Sequence, residues 1–321
     1  MTTIKICPLC GSDELTRFYS GIDEYFSKEK VVFTICEKCS LVFLNPRPSK
    51  GDYKKMYEEV FQDKRRSLEN IEQAVDRLEK IGSYEKKLKE LKFFQDYINR
   101  ESICLEIGSG WGALAKAIED NVGCQVEGIE PSVLAAKTAR EHYHLNIFNG
   151  DFDEFYSERG WEKEYDFIFS YHVIEHLLDQ NDFLQKVKKL LREDGKIFLA
   201  LPDITNPDYP YEKFFHIEHC YYYSPRTINL MLEKNGFQTI KLWRCEKDMK
   251  LVARVADCPR DISYRNQEKL KFKKILKKFN RRYRLLRFFK RLFYPCLNEG
   301  RRARVSGWAA ALLKKIRIIK N

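Results

Sequence analysis

Cys104-Leu105-Glu106-Ile107-Gly108-Ser109-Gly110-Trp111-Gly112 is the stretch on which the reading of the chain turns. Short-range apolar character up to Ile107 gives way to three glycines at alternate positions, and residues 113–119 then continue with helical spacing. Strand, glycine turn and helix in that order open a βαβ unit. Glycines at such a turn adopt dihedrals other residues resist and let a ligand approach the backbone closely. Gly108, Gly110 and Ala113 also satisfy G-x-G-x-x-G/A, so the loop by itself fits a dinucleotide as well as other nucleoside cofactors.

The surroundings separate these choices. Glu106 stands two residues ahead of the first glycine, where an acid repels a pyrophosphate but suits a ligand with cationic sulfonium and ammonium groups. Apolar runs alternate with helical stretches, predicting strands at 103–107, 125–130, 145–149, 165–170, 196–201, 237–243 and 250–255. Glu130 ends the second of these and can accept hydrogen bonds from ribose hydroxyls. Beyond the loop come Gly150-Asp151-Phe152, then Tyr165-Asp166-Phe167-Ile168-Phe169-Ser170-Tyr171-His172-Val173-Ile174-Glu175-His176-Leu177, then Leu190-Leu191-Arg192-Glu193-Asp194-Gly195-Lys196-Ile197-Phe198-Leu199-Ala200-Leu201-Pro202. Taken in order, these segments resemble the motifs of the class I methyltransferases. The resemblance implies an α/β, Rossmann-like fold with a seven-stranded, mostly parallel sheet over 101–257, and S-adenosylmethionine as cofactor. It implies a cofactor site of Glu106, Gly108, Ser109, Gly110, Trp111, Gly112, Glu130, Pro131, Asp151, Phe152, Ser170 and His172. Asp151 matches the adenine-contacting acid of that family, with Phe152 as an apolar neighbour of the ring.

After the fifth strand comes Phe214-Phe215-His216-Ile217-Glu218-His219-Cys220-Tyr221-Tyr222-Tyr223-Ser224-Pro225. This is similar to the Glu-His, aromatics and Ser-Pro helix start of sugar C-methyltransferases, in which the histidine is the proposed base. Methyl transfer needs a nucleophile stripped of a proton, and histidine titrates in the right range for that task. His219 is therefore the candidate catalytic base, with Glu218 orienting it or holding a substrate hydroxyl. A pair of structural histidines, His216 and His219, is the competing reading. The long C-terminal domain of the sugar C-methyltransferases has no counterpart here, which shifts the expectation from carbon to oxygen methylation.

Cys7-Pro8-Leu9-Cys10 and Cys36-Glu37-Lys38-Cys39 form two C-x₂-C pairs separated by 25 residues. In a reducing compartment this pattern offers four thiolates to a tetrahedral zinc ion, and four thiolates leave no position open for water. Residues 1–48 are read as a zinc-ribbon-like module with structural Zn2+ on Cys7, Cys10, Cys36 and Cys39. Sugar C-methyltransferases also begin with a paired-cysteine module, so two separate parts of the chain share that resemblance. Residues 49–100 read as one to three helices linking and covering the next domain, with Leu68, Ile71, Val75, Leu78, Leu88, Leu91, Phe94 and Ile98 at helical spacing.

The formal charge of +11 on 321 residues is unevenly spread. Residues 265–321 hold 20 Lys or Arg against Glu268 and Glu299, while the rest of the chain is mildly acidic. Within 258–321, Phe272, Ile275, Leu276, Phe279, Tyr283, Leu286, Phe289 and Phe293 recur at three or four, and Val305, Trp308, Leu312, Ile316 and Ile319 form a second stripe. A basic amphipathic helical tail of this kind suits an anionic membrane surface, packing against protein, or nucleic acid, in that order. Neither a roughly 20-residue apolar run nor a secretory signal is evident, so the expected location is the cytoplasm or the inner face of the membrane. The expected function is methylation of a sugar or glycan hydroxyl, on a lipid-linked or nucleotide-linked acceptor. An RNA methyltransferase and a cofactor-binding scaffold without catalysis are the alternatives.

Overall fold

Strands appear where consecutive side chains are buried on both faces, as in Ile103–Ile107, whose last four residues are all shielded from solvent. Such runs mark central parallel strands covered by helices on each side. The computed structural model describes residues 1–23, 27–53, 55, 70–159, 164–207, 211–245 and 248–256. The basic stripes of the tail and Leu68 lie outside the described residues.

Along the chain the strands are β1 (Leu15–Ile22), β2 (Lys30–Cys36), β3 (Val42–Leu44), β4 (Ile103–Ile107), β5 (Gln125–Ile129), β6 (Asn146–Phe148), β7 (Tyr165–Tyr171), β8 (Leu191–Pro202), β9 (Tyr221–Tyr222), β10 (Phe237–Cys245) and β11 (Asp248–Val255). The helices are α1 (Ile71–Lys80), α2 (Ser83–Leu88), α3 (Ala113–Val122), α4 (Val133–Tyr143), α5 (Phe152–Arg159), α6 (Gln180–Leu190), α7 (Tyr211–Phe214) and α8 (Pro225–Lys234). Short polar side chains start them: Ser132 accepts from the Ala135 amide, Asp179 from Asp182, and Ser224 and Thr227 form a reciprocal capping box ahead of Pro225. Gly123, at φ 80°, closes α3.

Seven strands make one sheet in the order β10-β11-β8-β7-β4-β5-β6. Strands β4 to β8 pair in parallel, and β11 runs antiparallel to both β8 and β10. All seven predicted strands are present. The parallel ladder of β8 against β7 resumes at Lys196, where the sequence pattern begins, but Leu191 already pairs with Tyr165 and the polar residues between them bulge away. The strand order switches direction between β4 and β7, and ligands of such sheets bind in the crevice at that switch point.

One face of the sheet packs Leu105, Ile168, Leu199 and Leu251 against Leu184 and Val187 of α6 and Ile228 and Met231 of α8. The other packs Phe167, Phe169 and Phe198 against Leu114 and Ile118 of α3 and against Phe94. The predicted stripe Leu88, Leu91, Phe94, Ile98 is not one helix. The chain passes from α2 into two 3₁₀ turns, Leu91–Phe93 and Gln95–Tyr97, because Phe94 turns inward to meet Phe169 at 4.8 Å and Phe198 at 5.1 Å between ring centroids.

The second sheet, β1-β2-β3-β9, is antiparallel. Its last strand comes from the other end of the described chain, so the N-terminal segment is knitted into the large domain through Val42 opposite Tyr222 and Phe43 opposite Tyr221.

Candidate active site

At the carboxyl ends of β4 and β5 the glycine loop is fixed by its own backbone. Gly108 and Ser109 both donate to the Ile129 carbonyl at 2.9 Å, and Gly112 donates to Ser109 at 3.0 Å. Gly108, Gly110 and Gly112 have φ of 77°, 56° and 82°, all in the left-handed region. A β-carbon on Gly108 would lie 2.5 Å from Val173, and one on Gly112 2.5 Å from Leu145 and 2.8 Å from Ala139. On Gly110 it would meet nothing within 4 Å, so that glycine faces the open crevice. Ser109 is buried and Trp111 half-buried in the same turn.

Glu130 follows β5 and receives the Gly110 amide on one oxygen and the Ser132 amide on the other, both at 2.8 Å. Glu106 is 2% exposed and accepts the Ala115 amide at 3.1 Å. Burial pushes its carboxyl up to about 8, against the pull of Lys87 and of the Ala115 hydrogen bond. Lys87, on α2, reaches over the Tyr171 ring at 4.2 Å. Burial lowers its ammonium while Glu106 and Glu90 hold it up. The Tyr171 hydroxyl donates to Glu90 at 2.9 Å, and Glu90 also pairs with Lys250.

Past β7, Ser170 is 1% exposed and its hydroxyl has no hydrogen-bond partner among the described residues. His172 takes φ 53°, with Nδ1 3.1 Å from Glu175 and Nε2 3.3 Å from Asp248 of β11. Burial acts to lower its pKa, but the Asp248 and Glu175 carboxylates outweigh it and raise the imidazole to about 9. Asp151 and Glu154 exchange amide-to-carboxylate hydrogen bonds at 2.8 and 2.9 Å, opening α5. Phe152 is 8% exposed with its ring on Phe183 at 5.1 Å, and exposed Pro131 accepts from Asn149 at 3.3 Å.

Residues 216–220 bring a second group together. The half-buried His219 ring lies 4.7 Å from His176, 4.0 Å from His216 and 5.3 Å from Tyr222, between centroids. His176 Nδ1 is 2.9 Å from the Glu218 carbonyl. A carbonyl only accepts, so Nδ1 carries a proton. Glu218 and Glu175 are each 1% exposed. Glu175 gives one oxygen to His172, while its other oxygen has no partner among the described residues. Donor atoms of Glu175, His176 and His219 lie within 4.8 Å of one another. Val173, which packs on Gly108, and His176 are one short turn apart, which ties this group to the crevice.

Residues 77–242 match the family model described as Methyltransferase domain, just over half of the chain. The chain belongs to this methyltransferase family. Among curated relatives, the ubiquinone biosynthesis O-methyltransferase of Glaesserella parasuis is 33% identical over 113 residues, 33% of this chain and 47% of that protein. Phosphoethanolamine N-methyltransferase 2 of Caenorhabditis elegans is 27% identical over 123 residues, 37% of this chain and 28% of that protein. The chain thus spans half or less of the length of these relatives. Among solved structures, a SAM-dependent methyltransferase from Archaeoglobus fulgidus is 17% identical with a TM-score of 0.48, covering 56% of this chain and 98% of that one. The 1,6-didemethyltoxoflavin-N1-methyltransferase of Burkholderia thailandensis, with S-adenosylhomocysteine, has a TM-score of 0.48 at 14% identity, covering 68% of this chain and 96% of that one.

The cofactor of this methyltransferase domain is S-adenosylmethionine. The sequence did not single out Lys87, Glu90, Tyr171, Glu175, His176, Asp248 or Lys250 for this region. Tyr171, Glu175 and His176 lie inside the quoted strand-four motif and were legible as neighbours. Lys87 and Lys250 come from separate elements, and only the fold places them together.

The N-terminal end of the methyltransferase carries the four cysteines. Cys7 and Cys39 sulfurs are 3.5 Å apart, as are those of Cys10 and Cys36, and all four lie within 4.8 Å of one another. Each pair has the same backbone turn: Gly11 donates to Cys7 and Ser40 to Cys36, both at 2.9 Å, with φ of 70° at Gly11 and 68° at Ser40. A tetrahedral zinc with Zn–S of about 2.3 Å needs sulfur–sulfur edges of about 3.8 Å, which this spacing fits. Crowding by Cys10, Cys36 and Cys7, in that order, pushes the Cys39 thiol above its ordinary range, while Cys10, Cys39 and Cys7 lower Cys36.

Proposed function

We propose that this chain transfers the methyl group of S-adenosylmethionine to a hydroxyl of a sugar or glycan. The observation that carries the reading is His219, presented on a half-buried loop beside His176, one turn from the Val173 that packs on the glycine loop. When bound, S-adenosylmethionine supplies a methyl group on a cationic sulfur that an oxygen nucleophile can displace in line. Glu106 pairs with the positive end of the cofactor, and Glu130 accepts its ribose hydroxyls. Asp151 and Phe152 lie on the adenine side, while Ser109, Trp111, Pro131, Ser170 and His172 line the crevice. His219 accepts the acceptor's hydroxyl proton as oxygen attacks, and Glu218 orients it. The ubiquinone biosynthesis relative is an O-methyltransferase, which supports an oxygen acceptor here.

The cysteine cluster holds a structural zinc ion through Cys7, Cys10, Cys36 and Cys39. No helix among the described residues is long and apolar enough to cross a membrane. The tail stripes, outside the described residues, would carry attachment to the inner membrane face. RNA is the second reading, favoured by the same basic tail.

The acceptor class is tested by incubating the full chain with methyl-labelled S-adenosylmethionine and cell extract divided into sugar nucleotides, lipid-linked glycans and RNA. Label in either carbohydrate fraction is expected. Label in RNA alone, with binding that falls steeply with salt, rejects the sugar reading.

A further inference from the structure

Around His219 the backbone is tied, residue after residue, to the first part of the chain. The Ile217 amide donates to the Asp23 carboxylate at 3.0 Å, across 194 residues of sequence. Tyr53 donates its hydroxyl to the Glu218 carbonyl. The Leu44 amide donates to the Cys220 carbonyl at 2.9 Å, and Phe43 and Val42 pair with Tyr221 and Tyr222. Arg47 reaches the Tyr221 hydroxyl and the Leu178 carbonyl, each at 2.8 Å. Asp23 is fully buried and Tyr53 is 9% exposed, so these are shielded contacts.

A carboxylate is removed from water only where hydrogen bonds replace its hydration. Asp23 sits beyond the end of β1 and buries its charge in the large domain, against the strand of residues that leads to His219. Its partner Ile217 and the acceptor Glu218 precede the candidate base by two positions and one position. Cys36 ends β2 and Cys39 lies in the β2–β3 connection, so the thiol cluster fixes the turn from which β3 departs to pair with β9.

We infer that residues 1–53 are a positioning device for the methyl-acceptor site, in which Asp23 and Tyr53 hold the loop 216–220 and the cysteine cluster sets the device's geometry. This rests on the reading of His219 as base. Asp23 and Tyr53 are positioning residues: they touch neither cofactor nor acceptor, and act by fixing where the imidazole stands. The device separates two functions in one chain, cofactor binding by the large domain and acceptor activation by the junction.

The test uses the full, zinc-loaded chain and its Tyr53→Phe and Asp23→Asn variants, with amide hydrogen exchange followed by mass spectrometry and S-adenosylmethionine affinity by calorimetry. Exchange in 214–223 should rise at least about ten-fold, the scale of one lost hydrogen bond, while 103–115 and cofactor affinity stay unchanged. Removing the metal alone with a chelator should produce the same local pattern. Exchange unchanged in 214–223, or raised equally across the chain with cofactor affinity lost, overturns the inference. Methyl transfer into a sugar-nucleotide mixture adds a second reading: both variants should lose turnover at saturating cofactor and shift the acid limb of the pH profile. If His219→Ala keeps full turnover while exchange responds as expected, the base assignment fails and the positioning contacts stand. If His219→Ala is inactive and both clamp variants are fully active, the positioning role fails and the base assignment stands.

Discussion

A carboxyl buried beneath the glycine loop makes cofactor binding depend on pH in a way that can be worked out beforehand. Glu106 is pushed up to about 8 by burial. At that value about one molecule in ten has it ionised at pH 7 and about one in a hundred at pH 6. A cationic cofactor that requires the carboxylate binds with its intrinsic dissociation constant divided by the ionised fraction, so affinity should weaken about nine-fold from pH 7 to pH 6. The α-ammonium of the cofactor is charged throughout this interval, so the slope belongs to the protein. Calorimetry at pH 6.0, 6.5 and 7.0 in two buffers of different ionisation enthalpy should also find about 0.9 proton released per cofactor bound at pH 7. Glu106→Gln should flatten the profile and, by losing a charge-assisted contact, weaken binding about 10- to 100-fold at pH 7.5. The linkage of the free protein runs the other way. A carboxyl whose folded pKa is raised favours folding below its ordinary value and loses that contribution as pH rises through about 8. Glu106→Gln should therefore raise the Tm of the cofactor-free chain more at pH 8.5 than at pH 5. Wild-type affinity that is flat between pH 6 and 7, without proton release, refutes this reasoning.

Other perturbations follow from single contacts. Gly112→Ala places a β-carbon 2.5 Å from Leu145 at φ 82° and should cost about 1–3 kcal/mol, read as a Tm several degrees lower. Cys36→Ser should abolish a stoichiometric zinc measured by elemental analysis, whereas His219→Ala should retain it; the reverse outcome would assign the metal to the Glu175, His176 and His219 group instead. Ser170→Ala removes a hydroxyl that is buried without a partner among the described residues, so the cofactor-free chain should keep its stability or gain up to about 1 kcal/mol, read from its Tm. A clear loss of stability would mean that the hydroxyl is hydrogen-bonded in solution.

Much of this architecture was written locally. The seven strands of the large sheet came through because buried parallel strands are continuous apolar runs, and β4 to Gly112 states strand, turn and helix within a few residues. The helical stripe before the domain was only partly legible: spacing announced that Leu91 and Phe94 are buried, but the break into 3₁₀ turns depends on aromatic rings of β7 and β8 that are distant in sequence. The clustering of the four cysteines was legible because each C-x₂-C pair is local, and the two turns repeat one another. The tie between residues 1–53 and the His219 loop was not. It is made by a two-residue strand, β9, and by single hydrogen bonds from Asp23 and Tyr53, none of which leaves periodicity in the sequence. The Lys87, Glu90, Lys250 and Tyr171 network escaped for the same reason, being assembled from α2, the following turn, β11 and β7.

The proposed methyl transfer needs both the cofactor crevice and His219. The direct measurement is labelled methyl transfer into the carbohydrate acceptor by the wild-type chain and His219→Ala, alongside the S-adenosylmethionine affinity of each. The account predicts equal affinities and a fall in transfer of about 10²- to 10⁴-fold, the range of a lost general base. Equal affinities with undiminished transfer, or a wild-type chain that binds no S-adenosylmethionine, would contradict it.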